Sequence, residues 1–212
     1  TVMLLVDVSN SLDFGTVKQL KKNMVAEIAA TLAFSAIQNN DKIGVIFFSD
    51  RIEKFIPPKK GRKHILYIIR ELLDFKPEST RTNIQCAIEY LTNVLKKRCT
   101  AFMLSDFIDD RDFQNALTIA NRKHDVVALQ VYDRRLEELP DVGLMKVRDA
   151  ETGHEQWIDT SSKSLRKTHH EWWKSRQQKL HEIFTHSNVD AVSVRTDQDY
   201  VKALLNLFAK RK

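Results

Sequence analysis

Oxygen-bearing side chains lie at the predicted ends of two apolar strands and at the start of one helix. Asp7, Ser9 and Ser11 follow the first apolar run at alternating positions, which can direct all three side chains toward one point. Thr80 and Thr82 lie in the loop before a predicted helix, and Asp106 directly follows a later buried strand. All these groups are hard oxygen donors, which suit Mg²⁺ or Mn²⁺ better than zinc. The spacing therefore predicts metal-ligand chemistry at one edge of a sheet.

Such a site would leave part of the metal shell open. Mg²⁺ prefers six oxygen ligands at about 2.0–2.1 Å and loses its water reluctantly, so waters should complete the shell around these few side chains. An Asp or Glu from a partner protein would fill one open position. The residue types therefore favour a metal-mediated contact between two proteins.

The apolar pattern predicts the elements that must position these residues. Two-sided apolar runs indicate buried strands, and apolar repeats every three to four residues indicate helices. Strands are expected at Val2–Val6, Ile43–Phe48, Ile52–Ile56, Ala101–Leu104, Val126–Tyr132 and Ala191–Val194. Helices are expected at Thr16–Asn39, around Ile65–Leu72, and at Ile84–Leu95, Phe113–Arg122, Ser162–Thr185 and Tyr200–Lys210, with a hairpin at Leu144–Ile158.

This alternation predicts an α/β fold. Strands separated by helices of crossover length form a doubly wound, mostly parallel sheet with helices on both faces. The piece at Ile52–Ile56 is expected to be an antiparallel edge strand that stops at Pro57-Pro58. Ligands of such sheets bind beyond the carboxyl ends of the strands, which is where the oxygen donors lie.

Composition limits the class of protein. The 212 residues are 42% hydrophobic and 29% charged, and we predict one domain over residues 1–212. The net charge of +6 favours acidic partners, but the cations are dispersed, which argues against nucleic-acid binding. No apolar stretch approaches the roughly 20 residues that span a bilayer. Cys86 and Cys99 are expected to be free thiols, which favours a cytoplasmic location. The chain opens on an apolar strand without an initiator Met, so we expect an upstream segment in the full-length protein.

The constellation resembles the metal-ion-dependent adhesion site of von Willebrand factor A (vWA) domains. The features of that site are Asp-x-Ser-x-Ser after a first buried strand, a Thr that opens a later helix and an Asp that ends the next strand. The resemblance implies a Rossmann-like, six-stranded sheet in the order 3-2-1-4-5-6. It assigns Mg²⁺ or Mn²⁺ to Asp7, Ser9, Ser11, Thr82 and Asp106.

Nearly the whole chain also resembles the bacterial family numbered fifty-eight among domains of unknown function. The resemblance is carried by Leu104–Phe107, His124–Leu129, Val131–Asp133, Glu138–Gly143, Asp149–Gly153 and Thr196–Val201. Members of that family are often encoded beside MoxR-type AAA+ ATPases. The resemblance therefore implies a protein partner, with a MoxR-type ATPase as a candidate.

One segment departs from the vWA pattern. Where that family usually has Gly-Gly-Thr-Asp, this chain has Thr80-Arg81-Thr82-Asn83. A guanidinium at Arg81 would either repel Mg²⁺ or help to hold a partner's carboxylate, and Asn83 replaces an acid by an amide. We expect Arg81, Asn83 and Asp13 to support the metal ligands or to contact the partner.

Two other polar clusters are assigned to structural roles. Asp109, Asp110 and Asp112 are predicted to be solvated loop charges and helix N-terminal charges rather than ligands. The segment His169–Trp173 lies within a predicted helix, where adjacent residues point about 100° apart, so it is predicted to serve partner contact or packing.

An enzymatic function is the main alternative. A Mg²⁺-dependent phosphohydrolase or phosphotransfer domain would use Asp7 as its nucleophile. Such enzymes usually carry a second acid two residues later or an acidic pair before the nucleophile, and here Ser9 and Val6 hold those positions. Nucleic-acid binding would need a reading motif that this sequence lacks. The sequence therefore predicts a non-enzymatic binding module.

Overall fold

Strands and helices alternate along the chain. The computed structural model describes residues 1–15, 19–150 and 152–211. Its elements are β1 (Val2–Asp7), α1 (Lys21–Gln38), β2 (Ile43–Phe48), β3 (Ile52–Lys59), α2 (Arg62–Asp74), α3 (Ile84–Val94), β4 (Thr100–Ser105), α4 (Gln114–Lys123), β5 (Asp125–Tyr132), α5 (Arg134–Glu137), β6 (Leu144–Arg148), β7 (Glu155–Asp159), α6 (Lys163–His186), β8 (Asp190–Arg195) and α7 (Tyr200–Lys210).

Six strands form one sheet in the order β3-β2-β1-β4-β5-β8. Neighbouring strands are parallel except β2 and β3, which pair antiparallel at one edge. The strands β6 and β7 form a separate antiparallel hairpin. The predicted doubly wound sheet is therefore confirmed, with β8 as its sixth strand. Strand order reverses at the β1–β4 pair, so the chain segments that leave these strands diverge and open a crevice.

Apolar residues of the strands contact helices on both faces of the sheet. Successive side chains of a strand point to opposite faces, so an all-apolar strand is buried on both sides. Leu4 and Val6 of β1 pack with residues of α1, α2 and α7, whereas Met3 and Leu5 pack with residues of α3, α4 and α6. All four are at most 3% exposed. This packing fixes β1, and with it the position of the residues at its end.

The edge strand β3 is longer than predicted. It continues through Pro57-Pro58, so the predicted stop at the prolines is wrong. Proline cannot donate a ladder hydrogen bond, but an edge strand tolerates it because one side of that strand has no neighbour. One extra residue in β3 shifts the register at the prolines, since Ile43 pairs with Lys59 whereas Val45 pairs with Ile56.

The first helix is shorter than predicted. Its predicted start at Thr16 lies outside the described residues, but Leu20 is described and has an extended backbone (φ −70°, ψ 149°), so α1 begins at Lys21. A 3-10 turn at Asn10–Asp13 follows β1, and the Lys21 N–H donates to the carbonyl oxygen of Phe14 at 2.9 Å. This turn brings the first residue of α1 to the carboxyl end of the sheet.

The cysteines and the helices also bear on the predicted class of protein. As predicted, Cys86 and Cys99 are free thiols. Burial raises the pKa of the Cys99 thiol to about 11, which makes it a poor nucleophile. Among residues 1–15, 19–150 and 152–211, no helix combines the length and the hydropathy that a membrane crossing requires.

Candidate functional site

The end of β1 is joined to the end of β4 through Asp7. Asp7 is the last residue of β1 and is 1% exposed. Its Oδ1 accepts a hydrogen bond from the backbone N–H of Ser9 at 2.9 Å, and its Oδ2 accepts one from the Ser105 hydroxyl at 2.5 Å. Ser105 is the last residue of β4. Both carboxylate oxygens of Asp7 are thus held by neighbouring groups.

Three hydroxyl groups meet beside Asp7. The Oγ atoms of Ser9 and Ser11 are 3.0 Å apart, and the Thr82 hydroxyl donates to Ser9 Oγ at 3.0 Å. All three residues are buried, at 2%, 7% and 3% exposure. The structure therefore brings together four of the five predicted ligands, Asp7, Ser9, Ser11 and Thr82. We call the three hydroxyl-bearing residues Ser9, Ser11 and Thr82 the hydroxyl cluster.

The start of α3 holds Thr82 in place. Asn83 caps this helix by accepting the N–H of Cys86 at 3.1 Å, a common role for Asn. The Asp109 carboxylate accepts the N–H of Ile84 at 2.9 Å, which adds a negative charge at the helix N-terminus. The Arg111 guanidinium donates to the carbonyl oxygen of Thr82 at 2.5 Å. Asn83 thus supports the position of Thr82 through the helix.

The acidic residues after β4 differ in exposure. The Asp109 side chain is 2% exposed, so the prediction of a solvated charge is wrong for this residue, because it satisfies the N-terminus of a helix from another part of the chain. Asp110 is exposed and forms an ion pair with Arg176 at 3.0 Å. Asp112 accepts the N–H of Gln114 at 2.9 Å at the start of α4, as predicted for a helix N-terminal charge.

A buried lysine pairs with the fifth predicted ligand. Asp106 is fully buried, and its Oδ2 accepts a hydrogen bond from the Lys21 ammonium at 2.6 Å. Its Oδ1 accepts the N–H of Ile108 at 3.1 Å. Lys21 is 1% exposed, and its ammonium lies 5.7 Å from the centre of the Phe14 ring. Asp106 therefore lies at the site with the Lys21 ammonium already bound to it.

The electrostatic environment disfavours a charge on Asp7. Burial, followed by repulsion from the Asp106 carboxylate, raises the pKa of Asp7 from 3.8 to about 7. Hydrogen bonds from Ser105 and Ser9 oppose this shift but do not cancel it. A positive charge next to Asp7 would relieve the strain of holding two buried carboxylates side by side.

The donor set can be tested against the metal that the resemblance implies. Two carboxylates and three hydroxyls supply oxygen ligands alone, the kind that Mg²⁺ and Mn²⁺ prefer. Within the described part of the chain, no group of three or more His, Cys, Asp or Glu side chains is arranged to hold a metal. The donor chemistry fits Mg²⁺ or Mn²⁺, and the Lys21 ammonium is already bound to one of the donors, Asp106 Oδ2.

A groove opens beside the hydroxyl cluster. It has a volume of about 760 Å³, and Ser11 and Thr82 form part of its wall. Arg81, Arg111 and Arg148 add positive charge to the lining, Asp109, Asp110 and Asp149 add negative charge, and Trp172 of α6 adds an aromatic surface. Arg81 is exposed at this groove. The groove therefore combines cationic, acidic, aromatic and hydroxyl groups.

Asp13 lies on the surface near the site. Its side chain is 53% exposed and forms an ion pair with Lys22. Together with Asp7 and Ser9 it lines a second cavity of about 220 Å³ between α1 and α2.

Three residues that matter for this geometry were not identified from the sequence. Ser105 is a polar residue at the end of a buried strand and directly precedes Asp106, which is a usable signal. Lys21 and Asp109 gave no such signal, because a Lys or an Asp near a helix end is usually exposed. Their partners, Asp106 and Ile84, lie far away in the sequence.

The sequence comparisons give a family and a set of relatives. The family described as "Protein of unknown function DUF58" matches residues 1–179. Uncharacterized protein Rv1480 of Mycobacterium tuberculosis is 28% identical over 213 residues, which cover 99% of this chain and 66% of that protein. The chain thus spans 66% of the length of this curated relative.

Two solved structures show the same fold. The conserved hypothetical protein BatB from Bacteroides thetaiotaomicron superposes with a TM-score of 0.67 at 18% identity, over 99% of this chain and 97% of that one. The SpRpn10 VWA domain superposes with a TM-score of 0.54 at 12% identity, over 99% of this chain and 93% of that one. The sheet described above is therefore a vWA-like fold.

Proposed function

This chain belongs to the DUF58 family, and from that premise we propose that it is a non-enzymatic protein-interaction module that binds Mg²⁺ or Mn²⁺ and docks an acidic residue of a partner. The vWA-like fold suggests a role in protein interaction. The metal, its ligands and the partner are the parts of this function that we propose.

The hydroxyl cluster is the observation that carries the proposal. Ser9, Ser11 and Thr82 come from two separate segments, yet the hydroxyls of Ser11 and Thr82 each lie 3.0 Å from the Ser9 hydroxyl. Buried hydroxyls beside two buried carboxylates form an oxygen-rich site in which Lys21 compensates only one of the two carboxylates. A divalent ion would neutralise Asp7 and Asp106 and accept the hydroxyl oxygens as ligands.

The adjacent groove supplies a surface for the partner. Arg81 is exposed in the groove and is not one of the proposed metal ligands. Its guanidinium can therefore pair with a carboxylate that approaches the ion. Of the two roles considered for Arg81, this geometry favours holding the partner over repelling the metal. A MoxR-type AAA+ ATPase, which the family resemblance implies, is the first partner to test.

The arrangement around Asp7 favours a ligand over a nucleophile. Both of its carboxylate oxygens accept hydrogen bonds, and the residue is 1% exposed, which leaves little access for a phosphate ester. We therefore propose that the domain does not turn over phosphate esters. Mg²⁺-dependent hydrolysis of p-nitrophenyl phosphate that disappears in Asp7→Asn would contradict this part of the proposal.

Calorimetric titration tests the metal site. Mg²⁺ and Mn²⁺ are titrated into the wild-type chain and into Asp7→Asn, and Asp190→Asn serves as a matched control because Asp190 is an exposed acid, paired with Arg211, at the start of β8 and so at the opposite end of the sheet. We expect saturable binding in the wild type and in Asp190→Asn, and loss of binding in Asp7→Asn. Equal binding in all three would place the ion elsewhere, and no binding in any of them would refute the metal mechanism.

The docking step has its own test. Acetylated Gly-Phe-Asp-Gly is added to the Mn²⁺-loaded chain while tryptophan fluorescence is recorded, since Trp172 lines the groove. The matching Asn peptide is the control. We expect a saturable change with the Asp peptide that EDTA reverses and that Arg81→Gln weakens. A change that is the same for both peptides would show that the groove does not select for carboxylates.

A further inference from the structure

The most unusual charged group at the site is Lys21. Its side chain is 2% exposed, although lysine is almost never buried in proteins unless it is paired. Its ammonium is 2.6 Å from Asp106 Oδ2, a distance typical of a charge-assisted hydrogen bond. The neighbouring Lys22, by contrast, is 53% exposed and pairs with the surface residue Asp13.

The charge balance of the site depends on Lys21. Asp7 and Asp106 are two buried carboxylates at the ends of the neighbouring strands β1 and β4. The ammonium of Lys21 compensates the charge of Asp106. A divalent ion alone would compensate both. An ion and an ammonium on the same carboxylate would leave an excess positive charge in a buried, weakly screened environment, where like charges repel strongly.

The backbone places Lys21 at the site independently of any ion. Lys21 is the first residue of α1, and its N–H is tied to the carbonyl oxygen of Phe14. Its ammonium lies near the Phe14 ring, and its side chain lines the groove next to Ser11 and Thr82. An ammonium displaced from Asp106 would therefore have an open groove to move into.

We propose that Lys21 is an internal counter-cation that competes with the divalent ion for Asp106 and thereby sets the metal affinity of the site. This inference rests on the proposed function, because it concerns the same metal site. In the ion-free protein Lys21 neutralises Asp106 and holds the site closed. Binding of the ion requires the Lys21 ammonium to leave Asp106 Oδ2 and to turn toward the groove.

The variant Lys21→Met removes the ammonium and keeps an unbranched apolar side chain of similar length. Lys22→Met is the matched control, because it removes the adjacent lysine, which is 53% exposed and pairs with Asp13. Mn²⁺ affinity is measured by calorimetry and by the electron paramagnetic resonance signal of free Mn²⁺. We expect Lys21→Met to bind Mn²⁺ about tenfold or more tightly than the wild type, since the competing cation is absent, and Lys22→Met to bind as the wild type does.

The outcomes separate this inference from the proposed function. If the wild type binds Mn²⁺ and Lys21→Met binds it equally or more weakly, the metal site stands and the competition by Lys21 is refuted. If Lys21→Met binds Mn²⁺ and the wild type does not, the competition is established in its strongest form. If neither binds, both proposals fail.

A second measurement guards against misfolding of the variant. Removing Lys21 leaves Asp106 buried without its cation, which should lower the melting temperature in EDTA. Mn²⁺ should then raise the melting temperature of Lys21→Met more than that of the wild type. Lys21→Gln, which keeps a hydrogen-bond donor for Asp106 but no charge, should show the same gain in affinity. A lower melting temperature in EDTA that Mn²⁺ does not restore in either variant would overturn the proposal.

Discussion

Replacing Asp7 by Asn should stabilise the domain at alkaline pH when divalent ions are absent. The pKa of Asp7 is raised from 3.8 to about 7 in the folded protein, chiefly by burial and then by repulsion from Asp106. Between about pH 4 and about pH 7 the folded state therefore holds a proton that the unfolded chain has released. The free energy of unfolding falls as the pH rises through this window and stays at the lower value above it.

The structure gives the size of this effect. A difference of about 3 pKa units corresponds to about 4 kcal/mol at about 1.4 kcal/mol per unit. Asn carries no charge and retains a carbonyl oxygen for the Ser9 N–H, but its amide cannot accept the bond that Ser105 donates to Asp7. That loss costs about 1 kcal/mol at every pH. We expect Asp7→Asn to be about 3 kcal/mol more stable than the wild type at pH 8 and about 1 kcal/mol less stable at pH 4.

Urea unfolding in EDTA, followed by circular dichroism at pH 4 and pH 8, measures the difference. The informative quantity is the change in the stability gap between the two pH values, because costs common to both cancel. Asp13→Asn is the control, since its side chain is 53% exposed. A gap between Asp7→Asn and the wild type that does not change with pH would refute the reasoning that Asp7 is a strained buried carboxylate.

Three further predictions concern the supports of the site and the core. Asp109→Ala should lower the free energy of unfolding by about 1 kcal/mol, because the N–H of Ile84 loses its acceptor, and it should weaken Mn²⁺ binding. Urea unfolding measures the first effect and calorimetry the second. An unchanged free energy of unfolding would argue against the capping role of Asp109. Gly44→Ala should cost about 2 kcal/mol, since a Cβ there would lie 2.7 Å from a backbone carbonyl oxygen of β3; a urea midpoint equal to that of the wild type would contradict it. Cys99 should react with a thiol reagent only after denaturation, because it is 4% exposed and its pKa is raised. Rapid reaction of both Cys86 and Cys99 in the native protein would instead show that the core opens readily.

The sequence was sufficient for most of the fold because the strands are buried on both sides. A two-sided apolar run such as Val2–Val6 has few alternatives to a central strand, and helix α7 was predicted with its observed bounds, Tyr200–Lys210. The errors lie at boundaries that depend on tertiary contacts. The prolines of β3 are tolerated because the strand is at an edge, and α1 begins late because the chain turns back after β1.

The residue spacing indicated the site most directly at the end of β1, whereas Thr82 and Asp106 were assigned to it through the vWA resemblance. Asp7, Ser9 and Ser11 lie within five residues and directly follow a strand, so their spacing alone indicated a cluster. Lys21 could not be identified in this way, since its burial depends on Asp106, which is 85 residues away in the sequence. No periodicity or motif distinguishes such a lysine from one that is solvated.

The long-range bonds of the site have a consequence for the order of folding. The Ser105–Asp7, Lys21–Asp106 and Thr82–Ser9 contacts join residues 98, 85 and 73 positions apart. Closing such long loops costs more chain entropy than forming a local helix does. These contacts should therefore form late in the folding reaction. A refolding chain would then acquire its helical circular dichroism signal before it assembles the proposed ion site. Under the proposed function, only molecules that had completed the β1–β4 pairing would be able to engage a partner.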